Sequence, residues 1–283
     1  WHNGGNLFDF WMAHSGLGHP LVRNYQFLMH LVFWILHKTI LAPLTLERAF
    51  NTSVALCAMA LPWAVYRGAT LWGLTALQAV GAAGSVLLLS EAGGYGLSLT
   101  NFSFSGYGTY NQLFATLFFC LAIGHGKHIL EKRHHAILAG LFFSVTLLSH
   151  IMTGYFAFLW IAVDLALDFV RRLKHRLHFR RSDLKNLLWF ITTVALTSAH
   201  WILPMAIDGP QQHHSPIEPA TKWTGIGAQA MIDTITQGNL LDGGRFPTLT
   251  LLAALGFCIA VSRAMRRRDG QRMVLKRLWL QTI

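Results

Sequence analysis

Seven long apolar runs, separated by polar stretches, dominate the pattern of this chain. Each is close to the roughly 17–25 residues that a helix needs to cross a bilayer. None has a strong polar face, which is typical of helices surrounded by lipid and by one another. We therefore predict an all-α, multi-pass integral membrane protein with about seven transmembrane helices: Ala49–Tyr66, Ala69–Ser90, Gly108–Gly124, Ala136–Ile151, Gly154–Val170, Asn186–Ile207 and Pro247–Ser262.

Lysine and arginine concentrate in every second connection between these runs. Most of the 23 lie at Arg67 and in the segments 124–135, 171–185 and 263–277. Cytoplasmic loops of membrane proteins carry such an excess. Alternating spans then place the loops 91–111 and 208–246 on the outer face, together with most of the acids. We therefore expect a cell (inner) membrane protein with an outward-facing site.

The first 48 residues form a region of their own, with one acid, Asp9, in a polar stretch rich in glycine and histidine. The apolar segment Leu21–Ala42 follows, and it either spans the membrane or lies flat on the outer surface. Arg23, His30 and His37 recur every seven residues as one polar seam, which favours a helix in the interface plane. The predicted organisation is a single polytopic domain over 1–283, with an outer region (1–48), a helical bundle (49–262) and a cytoplasmic basic segment that begins a further helix (263–283).

The composition supports a membrane protein and excludes other classes. Only 12% of the residues are charged and 53% are hydrophobic, whereas soluble domains carry about 25% charged residues. The net charge of +11 would suit nucleic acid, but the charges lie between apolar runs, so we expect membrane lipid and not nucleic acid as the partner.

Cys57, Cys120 and Cys258 lie singly in apolar runs and predict packing rather than a disulfide or a metal site. Since the chain lacks an initial Met and stops as a new apolar run begins, we expect a fragment of a longer membrane protein.

Polar side chains that could carry chemistry lie in the outer region. Asp9 is flanked by Leu, Phe and Trp, where a carboxyl group holds its proton more strongly and can serve as a general base. The alternative is a solvated or helix-capping Asp9. His14, His19 and Arg23 follow within a few turns and could hold a phosphate or pyrophosphate, with Arg23 acting through its bidentate fork. Alternatively, these three are interfacial polar residues without a ligand.

Two histidines, His150 and His200, lie near the outer ends of predicted spans. Polar groups at that depth usually face a cavity or a partner. They are therefore candidates for the outward-facing site. The alternative is that each forms a hydrogen bond with a neighbouring helix.

Acids and paired histidines elsewhere have structural explanations. Asp164 and Asp168 are one helical turn apart, where a proton relay is one interpretation. We expect instead that Asp168 pairs with Arg171 or Arg172, and that Asp164 pairs with a neighbouring helix. The adjacent pairs His134–His135 and His213–His214 are expected to face different sides of a helix, and no metal-binding spacing occurs. Small residues at positions 81–84 are expected to let helices approach closely.

Several short stretches resemble one family. Asp9, followed by the stretch GHPLVRNYQFLMH with Gly18-His19-Pro20 and Tyr25, is similar to the first outer loop of the GT-C glycosyltransferase superfamily. The closest resemblance is to the bacterial membrane proteins labelled "6-pyruvoyl-tetrahydropterin synthase-related". SLTNFSFSGYGTYNQLFATLFFCLAIG, LLSHIMTGYFAF and SAHWILPMAI resemble later family segments. Two departures are Gln112, where the family often has an acid, and the lone Asp9, where better-known members have an acidic pair.

The resemblance implies transfer of a sugar from a polyprenyl-phosphate donor on the outer face. Asp9 would be the general base or would hold a divalent metal. Arg23, with His150 or His200, would stabilise the phosphate leaving group. The lipid chain of the donor would lie in a groove between helices.

Two other function classes fit the same residues. A transporter or flippase for a lipid-linked or anionic substrate would use Asp164, His150 and His200 along a route across the membrane. A non-enzymatic membrane scaffold would use the outer loops to bind a partner protein. A transporter requires polar residues along a continuous path, whereas a transferase requires a cavity that is open on the outer side only.

Overall fold

The computed structural model describes residues 11–12, 19–20, 27–89, 98, 110–175, 180–208, 227–256 and 258–259. The described ranges consist of helices joined by turns and irregular segments, together with the short antiparallel pair in which Trp11 pairs with Pro20 and Met12 with His19. The elements are β1 (Trp11–Met12), β2 (His19–Pro20), α1 (Leu28–Lys38), α2 (Leu46–Leu71), α3 (Ala76–Leu88), α4 (Tyr110–Gly126), α5 (Arg133–Ser149), α6 (Ile151–Lys174), α7 (Arg181–Asp208) and α8 (Ala228–Thr236). Residues 248–256 are also helical.

Among the described residues, three helices are long and apolar enough to cross a membrane: Leu46–Leu71, Ile151–Lys174 and Arg181–Ile207, which belong to α2, α6 and α7. The all-helical architecture and these three helices are those of a membrane protein. The helices α4 and α5 have 17 residues each, at the lower limit of about 17–25 residues for a span. The seventh predicted span, Pro247–Ser262, lies partly outside the described residues.

A break between α2 and α3 corrects the predicted bounds of the span Ala69–Ser90. The α2 helix continues to Leu71, and Gly73 then adopts a φ of 102°, which glycine adopts without steric cost. Thr75 starts α3 through a capping box with Gln78. The α3 helix has 13 residues, about 20 Å at 1.5 Å per residue, and is thus shorter than the roughly 30 Å of a bilayer core.

The structure describes residues 27–42 of the predicted segment Leu21–Ala42. The helix in this part, α1, has 11 residues, about 16 Å, which is too short to cross a bilayer by itself. Aromatic contacts fix it to the bundle: the Phe33 and Phe50 rings lie edge to face with centroids 5.4 Å apart. Residues 21–26, including Arg23 of the predicted polar seam, lie outside the described ranges.

The helices α2 and α4 run in the same direction. Near their starts, the rings of Phe50 and Tyr110 lie 4.9 Å apart. Beyond their ends, the side chain of His128 forms a 2.8 Å hydrogen bond to the carbonyl oxygen of Leu71. Because these neighbours are parallel, the starts of α2 and α4 lie at the same end of the bundle.

The other long helices follow the same two directions. Lys127, just past α4, forms a 2.8 Å salt bridge with Asp164 of α6, and α6 is parallel to α4. The α5 helix runs back against both. The α7 helix is parallel to α5, since Gly140 of α5 packs against Thr193 of α7 and, four residues further along each helix, the Thr197 hydroxyl donates to Ser144 at 2.7 Å. We call the two ends of the bundle the Tyr110 end and the His128 end. The Tyr110 end holds the starts of α2, α4 and α6 and the ends of α5 and α7.

The helix α4 is the centre of the bundle. One buried cluster packs its first half against α2 and α3 and includes Leu61, Val86 and Leu113. The second cluster packs its last half against α5 and α6 and includes Ala122 and Phe143.

Glycines allow the closest helix contacts, but not the glycines expected. A Cβ atom on Gly68 of α2 would lie 2.3 Å from the carbonyl oxygen of Cys120 in α4, and one on Gly140 of α5 would lie 2.9 Å from Thr193 of α7. By contrast, Cβ atoms on Gly81 or Gly84 of α3 would meet no heavy atom of the described residues within 4 Å. The prediction that the 81–84 stretch mediates close approach is therefore wrong for these two glycines.

Candidate functional site

The structure describes only part of the predicted site. Asp9, His14, Arg23 and Tyr25 lie outside the described residues. His19 belongs to β2, where its backbone pairs with Met12. The predictions for these five residues therefore stay predictions.

His150 lies at the junction of α5 and α6, where it is the C-cap residue of α5 and the N-cap residue of α6. Its backbone is extended, and its Nδ1 accepts the backbone N–H of Thr153 as the N-cap of α6, at 3.3 Å. The Thr153 hydroxyl is 2.9 Å from the same nitrogen and must donate to it, because Nδ1 already acts as an acceptor. A neutral imidazole with an accepting Nδ1 carries its proton on Nε2. His150 can thus donate a hydrogen bond through Nε2 to a ligand.

A cavity of about 690 Å³ lies beside His150, between α4 and α6. Its walls are almost entirely apolar, and its polar groups fall into two places. At the Tyr110 end they are contributed by His150, Thr153 and the first two turns of α4. Nearer the His128 end the polar group is Asp164. The lining residues are Trp72, Gln112, Thr116, Phe119, His150, Met152, Thr153, Phe156, Leu159, Trp160, Val163, Asp164 and Leu167.

One face of α6 forms the length of this cavity. From Met152 to Leu167 the lining residues recur every three or four positions, which places them on a single side of the helix. Fifteen residues of helix extend about 22 Å. The cavity is therefore an elongated apolar groove with hydrogen-bonding groups at one end, and we call it the α6 groove.

The other end of the α6 groove is occupied by an ion pair and two indoles. Lys127 Nζ lies 2.8 Å from Asp164 Oδ1 and 5.6 Å from the centre of the Trp72 ring. Trp72 in turn contacts Trp160 edge to face at 5.9 Å. The expectation that Asp164 pairs with a neighbouring helix is confirmed, with Lys127 as the partner.

His200 does not line the α6 groove. It is exposed on α7, and its ring meets Phe27, just before α1, edge to face at 5.8 Å. Sequence reasoning treated His150 and His200 as equivalent because both lie near the same end of the bundle. They differ because His200 is on α7, whereas the groove lies between α4 and α6.

Gln112 and Thr116 are groove residues that sequence reasoning did not propose. They lie one turn apart on α4 and face the groove beside His150. Gln112 was noted only as a departure from the family pattern. Their spacing in the sequence indicates a shared site, because two polar residues four positions apart in an apolar run lie on the same face of a helix.

Tyr110 connects α1 to the start of α4. Its hydroxyl lies 3.1 Å and 3.2 Å from the two ring nitrogens of His30, and its ring packs against Phe50. Burial lowers the pKa of His30, so its imidazole is neutral near pH 7. Tyr110 therefore holds α1 beside the first turn of α4, close to the polar residues of that helix.

A cluster of four histidines lies at the opposite end. The Nδ1 atoms of His125 and His135 are 2.7 Å apart, and the ring of His135 also lies 5.0 Å from His128 and 4.1 Å from His134. The expectation that His134 and His135 face different sides is thus wrong, because both rings gather at the start of α5. Within the described ranges, no three His, Cys, Asp or Glu side chains are arranged to hold a metal ion.

Acid is expected to destabilise this histidine cluster. Burial, and after it the neighbouring His135, lowers the pKa of His125 from 6.5 to about 4, and burial also lowers the pKa of His135. Between these two pH values the unfolded chain therefore binds more protons than the folded chain. The stabilising contribution of the neutral histidine cluster is fully present above pH 6.5 and is lost as the pH falls toward 4. The melting temperature in detergent should decrease over this interval.

The control for this pH dependence is His125→Gln. This variant removes one titrating ring, so its melting temperature should decrease less steeply between pH 6.5 and 4 than that of the unmodified chain. An equal slope in both proteins would show that the cluster does not cause the acid sensitivity.

Comparison of the chain with protein-family models, curated proteins and solved structures finds no match.

Proposed function

We propose that this protein is a GT-C-like membrane glycosyltransferase that uses a polyprenyl-phosphate-linked sugar as its donor. The observation that carries the proposal is the α6 groove. A prenyl chain is a long hydrocarbon and needs an elongated apolar site, whereas its phosphate needs hydrogen-bond donors. The groove offers the first along α6 and the second at its Tyr110 end, where Gln112, Thr116 and His150 line it.

The distribution of basic residues supports an outward-facing site. Of the Lys and Arg residues in 27–89, 110–175 and 180–208, only Lys38 and Arg48 lie toward the Tyr110 end. The others lie toward the His128 end, which by the positive-inside tendency is cytoplasmic. In this proposal the helical bundle crosses a bacterial inner membrane, α1 lies flat on the outer surface, and the polar end of the groove opens outward.

The chemical step assigns one role to each polar group. The Asp9 carboxylate takes the proton of the acceptor hydroxyl while that oxygen attacks the anomeric carbon of the sugar. The bond from this carbon to the phosphate oxygen breaks, and the phosphate leaves with the bonding electrons. Arg23 and the Nε2–H of His150 stabilise the charge on the departing phosphate. His14, His19 and Tyr25 contact the donor headgroup, and His200 contributes from α7.

The α6 groove favours this function over transport. A flippase passes a polar headgroup along the groove and requires polar walls, but the residues between His150 and Asp164 are almost all apolar. Asp164 is neutralised by Lys127. A scaffold protein has no need for a groove of this shape.

A transfer assay with two variants tests the proposal. Membranes that contain the chain are incubated with polyprenyl phosphates carrying a radiolabelled hexose, and the label that leaves the lipid fraction is counted. Asp9→Asn should abolish transfer, since it removes the base. Met152→Trp should reduce transfer at least about tenfold, because the larger ring fills the groove that Met152 lines.

Met59→Trp is the matched control. Met59 is exposed on α2 and does not line the groove, so this variant should transfer at the normal rate. Transfer that is unchanged in Asp9→Asn would remove the catalytic role of Asp9. Label that crosses the membrane while still attached to the lipid would indicate a flippase instead.

A further inference from the structure

A second cavity, of about 580 Å³, lies at the His128 end, away from the α6 groove. It is formed where α6 ends, α7 begins and the loop between α4 and α5 passes. Its lining is mainly charged: Leu130, Glu131, Arg171, Arg172, Arg180, Ser182 and Asp183.

The frame of this cavity is fixed by Arg172. Its Nε donates to Asp168 at 2.7 Å and one terminal nitrogen donates to Asp183 at 2.7 Å, so Arg172 joins the end of α6 to the start of α7. Asp183 also accepts the backbone N–H of Arg180 at 3.1 Å. The loop is attached through Asn186, whose side-chain amide donates to the carbonyl oxygen of Leu130 at 3.2 Å.

Two arginines remain available to a ligand after these contacts. Arg171 shares Asp168 with Arg172, and 67% of its side chain is exposed. The Arg180 residue is exposed, and no ion pair of its side chain occurs within the described residues. Glu131 is engaged by His128 at 2.8 Å. Between residues 168 and 185 the described bases are Arg171, Arg172, Lys174, Arg180, Arg181 and Lys185, and the acids are Asp168 and Asp183.

We propose that this cavity binds the phosphate of an anionic phospholipid through the guanidinium groups of Arg171 and Arg180 and the hydroxyl of Ser182. Arginine forks fit phosphate oxygens in a bidentate manner. Basic pockets between membrane helices on the cytoplasmic side are suited to lipid headgroups. This site does not depend on the proposed transferase activity.

The surroundings of the cavity indicate a lipid rather than a free phosphate ion. Both α6 and α7 are long and apolar enough to cross a membrane. The cavity lies where α6 ends and α7 begins, which is the depth of the lipid headgroups. Large apolar side chains are exposed on both helices beside it: Phe169, Val170, Leu173, Leu184 and Leu188. A bound headgroup would therefore leave its acyl chains against hydrocarbon surface.

A binding experiment on the purified full chain in neutral detergent tests this site. The probes are dioleoyl phosphatidylglycerol, dioleoyl phosphatidylcholine and inorganic phosphate, and the readouts are the shift in melting temperature and the lipid adducts in native mass spectrometry. Phosphatidylglycerol should raise the melting temperature more than phosphatidylcholine. The double variant Arg171→Gln/Arg180→Gln should bind phosphatidylglycerol at least about tenfold more weakly, since it loses two charge-assisted contacts.

The matched control removes two positive charges from the opposite end. Lys38→Gln/Arg48→Gln changes two exposed residues that do not line the cavity, and it should bind phosphatidylglycerol like the unmodified chain. Equal weakening in both double variants would overturn the proposal, because it would reflect net charge alone. A similar shift with inorganic phosphate at equal concentration would also overturn it, in favour of a soluble anion site.

Discussion

Gly68→Ala is expected to lower the free energy of unfolding by about 3 kcal/mol, the upper part of the range for overpacked sites. The added Cβ atom would lie 2.3 Å from the carbonyl oxygen of Cys120 and 2.8 Å from its carbonyl carbon. These are backbone atoms of α4, so no side-chain rotation relieves the contact. The α2 and α4 helices must separate, and the melting temperature in detergent measures the loss.

Gly84→Ala is the control for this effect. The change is chemically identical and also lies inside a helix, but a Cβ atom on Gly84 meets no heavy atom within 4 Å in the described part of the chain. Helix propensity alone favours alanine by up to about 1 kcal/mol, so this variant should be neutral or slightly more stable. If the two variants melt at the same temperature, the close approach of α2 and α4 does not limit stability.

Lys127→Met is expected to cost about 2 kcal/mol of stability. It leaves the Asp164 carboxylate, which is only 16% exposed, without its partner at the apolar α6 groove. Removing one member of a fully buried pair typically costs about 3–5 kcal/mol. The effect here is smaller because 41% of the Lys127 side chain is exposed, and water screens the charge.

The double variant Lys127→Met/Asp164→Leu should recover most of this loss. It removes both charges, and replacing a buried ion pair with apolar side chains is often neutral or stabilising. Melting temperatures of the unmodified chain, Lys127→Met, Asp164→Leu and the double variant form a complete mutant cycle. A double variant less stable than Lys127→Met would show that Asp164 contributes to stability beyond this pair.

Local patterns were sufficient to predict five of the described helices and one set of contacts. Apolar length predicted the segments that form α2 and α4 to α7, because a long apolar run favours a helix, in which the backbone groups form hydrogen bonds with one another. The pairing of Asp168 with Arg171 and Arg172 could also be predicted, since residues three and four apart on a helix are neighbours.

Contacts between helices could not be predicted in the same way. Whether Gly68 or Gly84 meets another helix depends on the rotation and depth of that helix, and neither quantity is encoded in spacing along the chain. The same holds for Gln112, which comes beside His150 only because α4 and α6 are parallel. The short α3 was misjudged for a local reason, because the left-handed turn at Gly73 and the capping box at Thr75 outweigh the apolar run around them.

The parallel arrangement of α2 and α4 constrains how the chain assembles during synthesis. The helix that follows α2 in sequence, α3, does not provide the contact at Gly68. That contact requires Cys120, more than fifty residues later. Until α4 is inserted, the Gly68 surface of α2 therefore faces lipid or the membrane-insertion machinery. The tightest contact between α2 and α4 is thus made late, and a chain that is stopped before α4 leaves α2 without its main packing partner.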